Sequence, residues 1–240
     1  MALNGVMPPL CPVTQEAVST PAVLGPAAWA AMHFIDEPYC KSCGVPFAAE
    51  YGAGVECPSC IADPPDFDGA RGAVVYNDAS HKLIVGFKHS DHTELTPIFA
   101  KWMMRIAAGL ATRDSILVPI PLHRRRLAGR RYNQSALLAS AMARRCGAFV
   151  ALGGLARLRA TPPQKNLSAE ARRRNVAGAF ALGRHIGKAA IRGAHIILVD
   201  DVLTTGATLS SAARTLKKAG AAKVSALVLA RVVKGGIGAI

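Results

Sequence analysis

Two adjacent carboxylates, Asp200 and Asp201, stand between an apolar run and a loop of threonines and glycine. The stretch reads His195-Ile196-Ile197-Leu198-Val199-Asp200-Asp201-Val202-Leu203-Thr204-Thr205-Gly206-Ala207-Thr208. Thr204, Thr205 and Thr208 offer hydroxyl donors, and Gly206 lets the backbone bend and approach a ligand closely. A helix starting just beyond them would add unpaired N–H groups and the positive end of its dipole. A phosphomonoester suits that loop, with the carboxylates about one sugar away and facing its hydroxyls. No lysine follows a glycine at the Walker spacing, so the loop is not a P-loop. The acids are also rare in their surroundings. Residues 115–240 hold 22 Lys and Arg against 3 acids, namely Glu170, Asp200 and Asp201. A turn with an aspartate cap is the plainer alternative.

A second chemical signal lies near the N-terminus. Cys40-Lys41-Ser42-Cys43 and Cys57-Pro58-Ser59-Cys60 are two Cys-x-x-Cys pairs separated by 13 residues. That pattern predicts a zinc ribbon with four thiolates on one tetrahedral ion, a structural site with no open position. Disulfides are the alternative and suit an oxidising compartment. Cys11-Pro12-Val13-Thr14 resembles half of another knuckle whose second cysteine is absent. Residues 1–38 therefore read as a short helix and loops without a metal of their own. His89, Asp91 and His92 read as a solvated turn rather than a metal site.

The elements that must position these residues follow from periodicity. A continuous apolar run over Ala194–Val199 predicts a strand buried on both faces of a parallel sheet, delivering the acids to its carboxyl edge. Leu209–Ala219 is the following helix, and Lys223–Arg231 the last strand. Ser115–Pro121 is another strand, leaving into Leu122-His123-Arg124-Arg125-Arg126 and Gly129-Arg130-Arg131-Tyr132-Asn133-Gln134, with a helix over Ser135–Arg145. Further forward come a strand over Gly72–Tyr76, a helix over His81–His89 carrying Lys88, and a helical pattern from Thr93 to Ala111. Leu155–Gln164 and Asn175–Phe180 read as hood strands. Residues 157–175, with helical turns over Ser168–Arg174, form a candidate lid. Asp63-Pro64-Pro65-Asp66 reads as a linker, dividing the chain into 1–66 and 67–240.

Composition bounds the remainder. The chain has 240 residues, 51% of them apolar and 18% charged, so one sizeable core plus a small module is expected. No apolar run reaches the length of a membrane span and no signal peptide pattern opens the chain, which predicts a cytoplasmic protein. Residues 1–114 carry 7 Lys and Arg against 12 acids, whereas the second part has the opposite and larger imbalance. The basic part predicts an anionic partner, either a polyphosphate or nucleic acid.

The segment VDDVLTTGAT resembles the motif by which type I phosphoribosyltransferases bind phosphoribosyl pyrophosphate (PRPP). The resemblance implies that Asp200 and Asp201 bind the ribose hydroxyls. It places Thr204, Thr205, Gly206, Ala207 and Thr208 around the 5′-phosphate, with Val202 also among the PRPP-binding residues. It assigns Leu122, His123 and Arg124, with Arg130 and Arg131, to the pyrophosphate, and Mg²⁺ as the ion carried with PRPP. Asp200, Asp201 and Arg124 become the candidate catalytic residues.

The order of cysteine pairs, FKH helix, VPIPLHRRRLAGRRYNQ, RLRATPPQKNLSAEARRRNVAGAF and ILVDDVLTTGATL is similar to the ComF family of competence-associated proteins. That resemblance implies an α/β fold: a type I phosphoribosyltransferase-like parallel sheet flanked by helices with a hood, preceded by a small zinc-ribbon module. It also implies a link to DNA uptake in natural transformation. The family pairs a double zinc ribbon with the transferase domain. Here the first ribbon keeps only Cys11, so one Zn²⁺ is expected, on Cys40, Cys43, Cys57 and Cys60. Two functions follow: a phosphoribosyltransferase whose acceptor the sequence does not name, or a non-catalytic PRPP-dependent module that binds single-stranded DNA.

Overall fold

Ile196, Ile197, Leu198 and Val199 are fully buried, and they divide by alternation between the two faces of one sheet. In this computed structural model, residues 8–48, 52, 54–89, 92–123, 132–159, 174–184 and 186–233 are described. The helices are α1 (Pro26–Ala30), α2 (Pro58–Ala62), α3 (Asp78–His89), α4 (Thr96–Ile106), α5 (Gln134–Cys146), α6 (Lys188–Ile191) and α7 (Ala207–Lys218). The strands are β1 (Gly69–Val75), β2 (Ile116–Pro119), β3 (Phe149–Val150), β4 (Leu155–Arg157), β5 (Phe180–Leu182), β6 (His195–Leu203) and β7 (Lys223–Arg231). Five of them form a parallel sheet in the order β1-β7-β6-β2-β3. β4 and β5 pair antiparallel as a separate two-stranded hood.

The sheet separates two apolar layers. Ile197 and Val199 of β6 pack with Leu83 and Phe87 of α3, Phe99 and Met103 of α4, and Leu138 and Met142 of α5. Ile196 and Leu198 pack on the other face with Leu209, Ala212, Ala213 and Leu216 of α7. A helix layer on each face is why β6 and β7 carry no polar alternation through their centres.

The expected elements are present with shifted ends. The helical pattern from Thr93 begins as a 3₁₀ turn over Thr93–Leu95 and ends at Ile106, before the left-handed Gly109. The hood strands lie at 155–157 and 180–182; the expected strand over Asn175–Phe180 is overturned except at Phe180, because residues 174–176 make a helical turn and 177–178 a turn that lead into the strand. Of the helical turns expected over Ser168–Arg174, only Arg174 is among the described residues, and most of the candidate lid lies outside them. Among the described residues, no helix is long and apolar enough to cross a membrane.

The cysteine module is fastened to the edge of the sheet at β1. The Ala70 N–H donates to the carbonyl of Ser42 at 2.9 Å, and Arg71 Nη1 to the carbonyl of Lys41 at 3.0 Å. Gly44 has φ +66°, and a Cβ there would lie 2.5 Å from the carbonyl oxygen of Ala70. Only glycine permits both the turn and the approach.

Asp68 ties the chain entering β1 to β7 and α7. It accepts from Lys217 Nζ at 2.6 Å and from the Val224 N–H at 2.7 Å. Burial alone would raise its pKa, but Lys217 and the Val224 N–H outweigh that and hold it below the ordinary value. A depressed carboxyl contributes stability above its unfolded pKa, which is lost as pH falls through the folded value. Asp68→Ala is therefore expected to cost about 1 kcal/mol at pH 7, allowing for the exposure of the pair, and much less at pH 3. Urea titrations at the two pH values check this, and an equal cost at both would contradict it.

Candidate functional site

β6 runs further than its apolar residues do. The strand continues through Asp200, Asp201 and Val202 to Leu203, where the sequence pattern placed the end at Val199. The reason lies in its neighbours. β7 accompanies β6 to the end, with Leu203 opposite Arg231, whereas β2 stops at Pro119 opposite Val199. On the β2 side the acids therefore stand beyond the sheet, at its carboxyl edge, while the β7 side still holds their backbone rigid.

Two residues from other elements close on the pair. Ser135 Oγ, in the first turn of α5, donates to Asp200 Oδ1 at 3.0 Å, and the Asp201 N–H donates to the same oxygen at 2.9 Å. Lys88 Nζ, near the end of α3, lies 2.9 Å from Asp201 Oδ1, with both side chains largely buried at 20% and 16% exposure. The pieces are braced together. Asn133 caps α5 by accepting from the Ser135 N–H at 3.0 Å, and its amide donates to the Ile120 carbonyl at 3.1 Å. Tyr132 Oη donates to the Phe87 carbonyl at 2.7 Å, and Gln134 Nε2 to the Lys88 carbonyl at 3.4 Å.

The electrostatics separate the two acids. Burial, reinforced by the neighbouring Asp201 charge, pushes the Asp200 carboxyl up to about 7, against the opposing pull of its backbone hydrogen bond, Lys88 and Ser135. Lys88 supplies the one cation in contact with the pair among the described residues. Lys88→Met is expected to destabilise the protein by about 2–4 kcal/mol at pH 8, because it strands a largely buried charge. The loss should shrink at pH 5, where protonation of Asp200 removes one of the two neighbouring charges. Denaturant midpoints at both pH values test this, and a loss independent of pH would remove the electrostatic account.

Past the acids, the chain turns at Gly206 with φ +81° and enters α7. Gly206 sits over the ring of Phe67, to which an added Cβ would come within 3.4 Å. Gly206 at the N-cap has no side chain to offer, so the start of α7 carries no side-chain cap. Thr205 Oγ1 is buried with no hydrogen-bond partner among the described residues. An uncapped helix start beside an orphaned hydroxyl is suited to a phosphate. Thr204, Thr205, Gly206 and Ala207 line a groove of about 840 Å³ together with Cys43, Cys57 and Pro58.

The expected site residues fall into three groups. Asp200, Asp201 and Val202 lie on the last residues of β6, and Thr204, Thr205, Gly206, Ala207 and Thr208 follow directly. Leu122 and His123 are described, half-buried, just past β2. Arg124, Arg125, Arg126, Arg130 and Arg131 lie outside the described residues. Lys88 and Ser135 were not foreseen as partners of the acids. A lysine on a helix reads as a solvated face, and a serine in a first helical turn reads as capping. Only the tertiary fold brings them to Asp200 and Asp201.

The four cysteines Cys40, Cys43, Cys57 and Cys60 are all buried, with their sulfurs within 4.8 Å of one another. Cys43 Sγ and Cys57 Sγ are 3.7 Å apart. A tetrahedral zinc with ordinary zinc–sulfur bonds sets neighbouring sulfurs about 3.8 Å apart, so the donor set fits. The Cys43 and Cys57 N–H groups point at Cys40 Sγ, at 3.5 and 3.3 Å, as in a metal knuckle. The cysteines would hold one structural zinc with no position left for water.

Residues 134–236 match the family model of the phosphoribosyl transferase domain, and residues 2–61 that of the double zinc ribbon domain. The DNA utilization protein YhgH of Salmonella typhimurium is 32% identical over 198 residues, which cover 80% of this chain and 83% of that protein. Competence protein F of Haemophilus influenzae is 29% identical over 206 residues, covering 81% of this chain and 85% of that one. Competence protein ComFC of Bacillus subtilis is 32% identical over 163 residues, covering 67% and 63%.

Proposed function

This chain belongs to the ComF family of competence and DNA-utilization proteins, a zinc ribbon joined to a phosphoribosyltransferase domain, and on that premise we propose that residues 200–208 bind PRPP with Mg²⁺. The observation that carries the reading is the uncapped start of α7 beside the orphaned Thr205 hydroxyl, directly downstream of two acids at a strand end. In this reading the α7 N–H groups and the loop threonines take the 5′-phosphate. Asp200 and Asp201 accept from the ribose hydroxyls. Leu122, His123 and Arg124, with Arg130 and Arg131, form the pyrophosphate side. The two carboxylates are hard oxygen donors of the kind Mg²⁺ accepts. Asp200 and Asp201 would hold such an ion, which when bound would supply charge neutralisation for the pyrophosphate.

The corresponding reaction is pentosyl transfer, in which an acceptor attacks the anomeric carbon and pyrophosphate departs. The chain's own contribution is positioning and charge. Asp200 and Asp201 would offset positive charge growing on the sugar, and Arg124 the negative charge on the leaving group. Residues 1–66 would act as the ribbon module and 67–240 as the transferase-like domain, in the cytoplasm and in the handling of incoming DNA.

The charge of residues 115–240 favours a second reading, a PRPP-dependent module that binds single-stranded DNA without transfer. Pyrophosphate release with PRPP, Mg²⁺ and a panel of bases separates the two. The enzyme reading expects release that depends on one acceptor. No release with any acceptor, together with oligonucleotide binding that weakens steeply with salt, would transfer the conclusion to the second reading.

A further inference from the structure

Arg231 is the last residue of β7, and its guanidinium reaches two separate parts of the molecule. On one side Nε donates to the carbonyl of Cys43 at 3.0 Å, and Nη2 approaches Cys43 Sγ at 3.4 Å. On the other side Nη1 donates to the carbonyl of Thr204 at 2.8 Å and approaches that of Leu203 at 3.4 Å. The fork therefore spans from the cysteine cluster to the first residues of the Thr/Gly loop, along the groove that both line. We propose that Arg231 is a positioning residue that couples metal occupancy of the cysteine cluster to the affinity of the Thr204–Thr208 loop for a phosphate ester. The proposal rests on the phosphate-binding reading of that loop.

The coupling follows from what each contact does. Four thiolates on one zinc carry a net double negative charge, and a guanidinium beside one sulfur is its natural counter-ion. That charge holds Arg231 at the cluster, and the Cys43 carbonyl fixes the direction of its fork. In a planar trans peptide the C=O and the next N–H point in opposite directions. Arg231, by holding the Thr204 carbonyl, thus turns the Thr205 N–H away from itself. Loss of zinc frees the Cys40–Gly44 turn, and with it the Cys43 carbonyl to which Arg231 donates. The Thr204 peptide then loses its fixed orientation, and the loop must be ordered by the ligand instead. Lysine at this position would keep a charge but could not hold both sides at once.

The test uses the full chain and PRPP with Mg²⁺ as the probe. Calorimetry is expected to show about tenfold weaker binding after zinc is removed with a chelator. Because linkage is reciprocal, saturating PRPP should tighten zinc binding by the same factor in competition with a chromogenic chelator. In Arg231→Ala both effects should vanish, with PRPP affinity already at the zinc-free level. Arg231→Lys should retain zinc nearly as well as the wild type and still lack the coupling. Hydrogen exchange of residues 203–208, read without ligand, should speed up about tenfold on zinc removal in the wild type and not in Arg231→Ala. Unchanged exchange would overturn the proposal. So would zinc affinity indifferent to PRPP in a protein that binds PRPP. Absence of PRPP binding by the zinc-loaded wild type, with the exchange response present, would instead overturn the choice of ligand. If Arg231→Ala does not fold, the wild-type chelation arms and Arg231→Lys decide the matter.

Discussion

Replacement of Asp200 and Asp201 together by asparagine is expected to abolish PRPP binding while the chain still folds. The backbone of both residues is held by β7 and does not depend on their charge. At Asp200 the lost group is one negative charge, because an asparagine oxygen can still accept from Ser135 Oγ and the Asp201 N–H. At Asp201 the ion pair with Lys88 is lost. A carboxylate accepts two sugar hydroxyls and attracts Mg²⁺, whereas an amide presents donors to the same hydroxyls. A loss of at least a hundredfold is expected, the scale of about 1.5–3 kcal/mol for each charged hydrogen bond removed. Calorimetry reads it directly, and unchanged affinity would remove these residues from the site.

The single variant Asp200→Asn carries a second expectation, with a sign that separates site chemistry from fold stability. The folded carboxyl is raised to about 7, against 3.8 for the ordinary group. A raised acid binds its proton more tightly in the folded state, so its contribution to stability falls as pH rises from about 4 to about 7. A neutral amide at this position carries no such loss. Asp200→Asn should therefore be more stable than the wild type at pH 8, by on the order of 2 kcal/mol, and equal to it near pH 4. Denaturant midpoints at pH 4 and pH 8 give the answer. A destabilised variant at pH 8 would mean that burial does not disfavour the Asp200 charge. A variant stabilised at pH 8 would show an acid that costs the fold stability, a trade typical of residues kept for binding.

The parts of this architecture that are legible in the sequence are those set by local pattern. The unbroken apolar run Ile196–Val199 announced a strand covered on both faces, because any solvated face would need alternation. The Thr/Gly loop announced the helix start that follows Gly206. The spacing of Cys40, Cys43, Cys57 and Cys60 announced a tetrahedral site, because each tight knuckle supplies two thiols. What stayed hidden depends on distant partners. The extension of β6 through Asp200 and Asp201 requires knowing that β7 is long and β2 short. The approach of Lys88 and Ser135 to the acids requires α3 and α5 to meet at the same edge. Arg231 looked like the last residue of an apolar strand. Its role appears only when Cys43 and Thr204 are placed on either side of it.

Metal content gives the second large expectation: one zinc per chain, with Cys57→Ser losing it. The family model that matches residues 2–61 is a double ribbon, yet among the described residues only one group of cysteines can hold an ion. The packing around Cys11 would allow the first ribbon to hold together without a metal. Cys11 is fully buried and accepts from the Gly25 N–H at 3.4 Å, and the Cys11 N–H closes a turn on the Glu16 carbonyl at 2.7 Å. Val13, Leu24, Ala28 and Met32 are buried in the same core cluster, so apolar side chains supply the cohesion that an ion would otherwise give. The second ribbon has no such substitute. Its interior is Cys40, Cys43, Val45, Cys57 and Cys60, with Phe47 and Val233 alongside. A structural zinc contributes about 10–16 kcal/mol in isolated fingers. If only a third of that reaches global unfolding, the melting temperature should fall by roughly 10–20 °C in Cys57→Ser. Cys11→Ser should keep its zinc and lose about 1–2 kcal/mol, the scale of a conservative change in a packed core. The pH dependence has a definite sign. Desolvation pushes the Cys60 thiol up to about 12 in the metal-free cluster, so zinc must expel protons to bind, and its affinity should fall as pH is lowered. Metal analysis near zero in freshly purified reduced protein would refute the cluster as a zinc site. A value near two would mean that the apolar packing around Cys11 does not replace a metal.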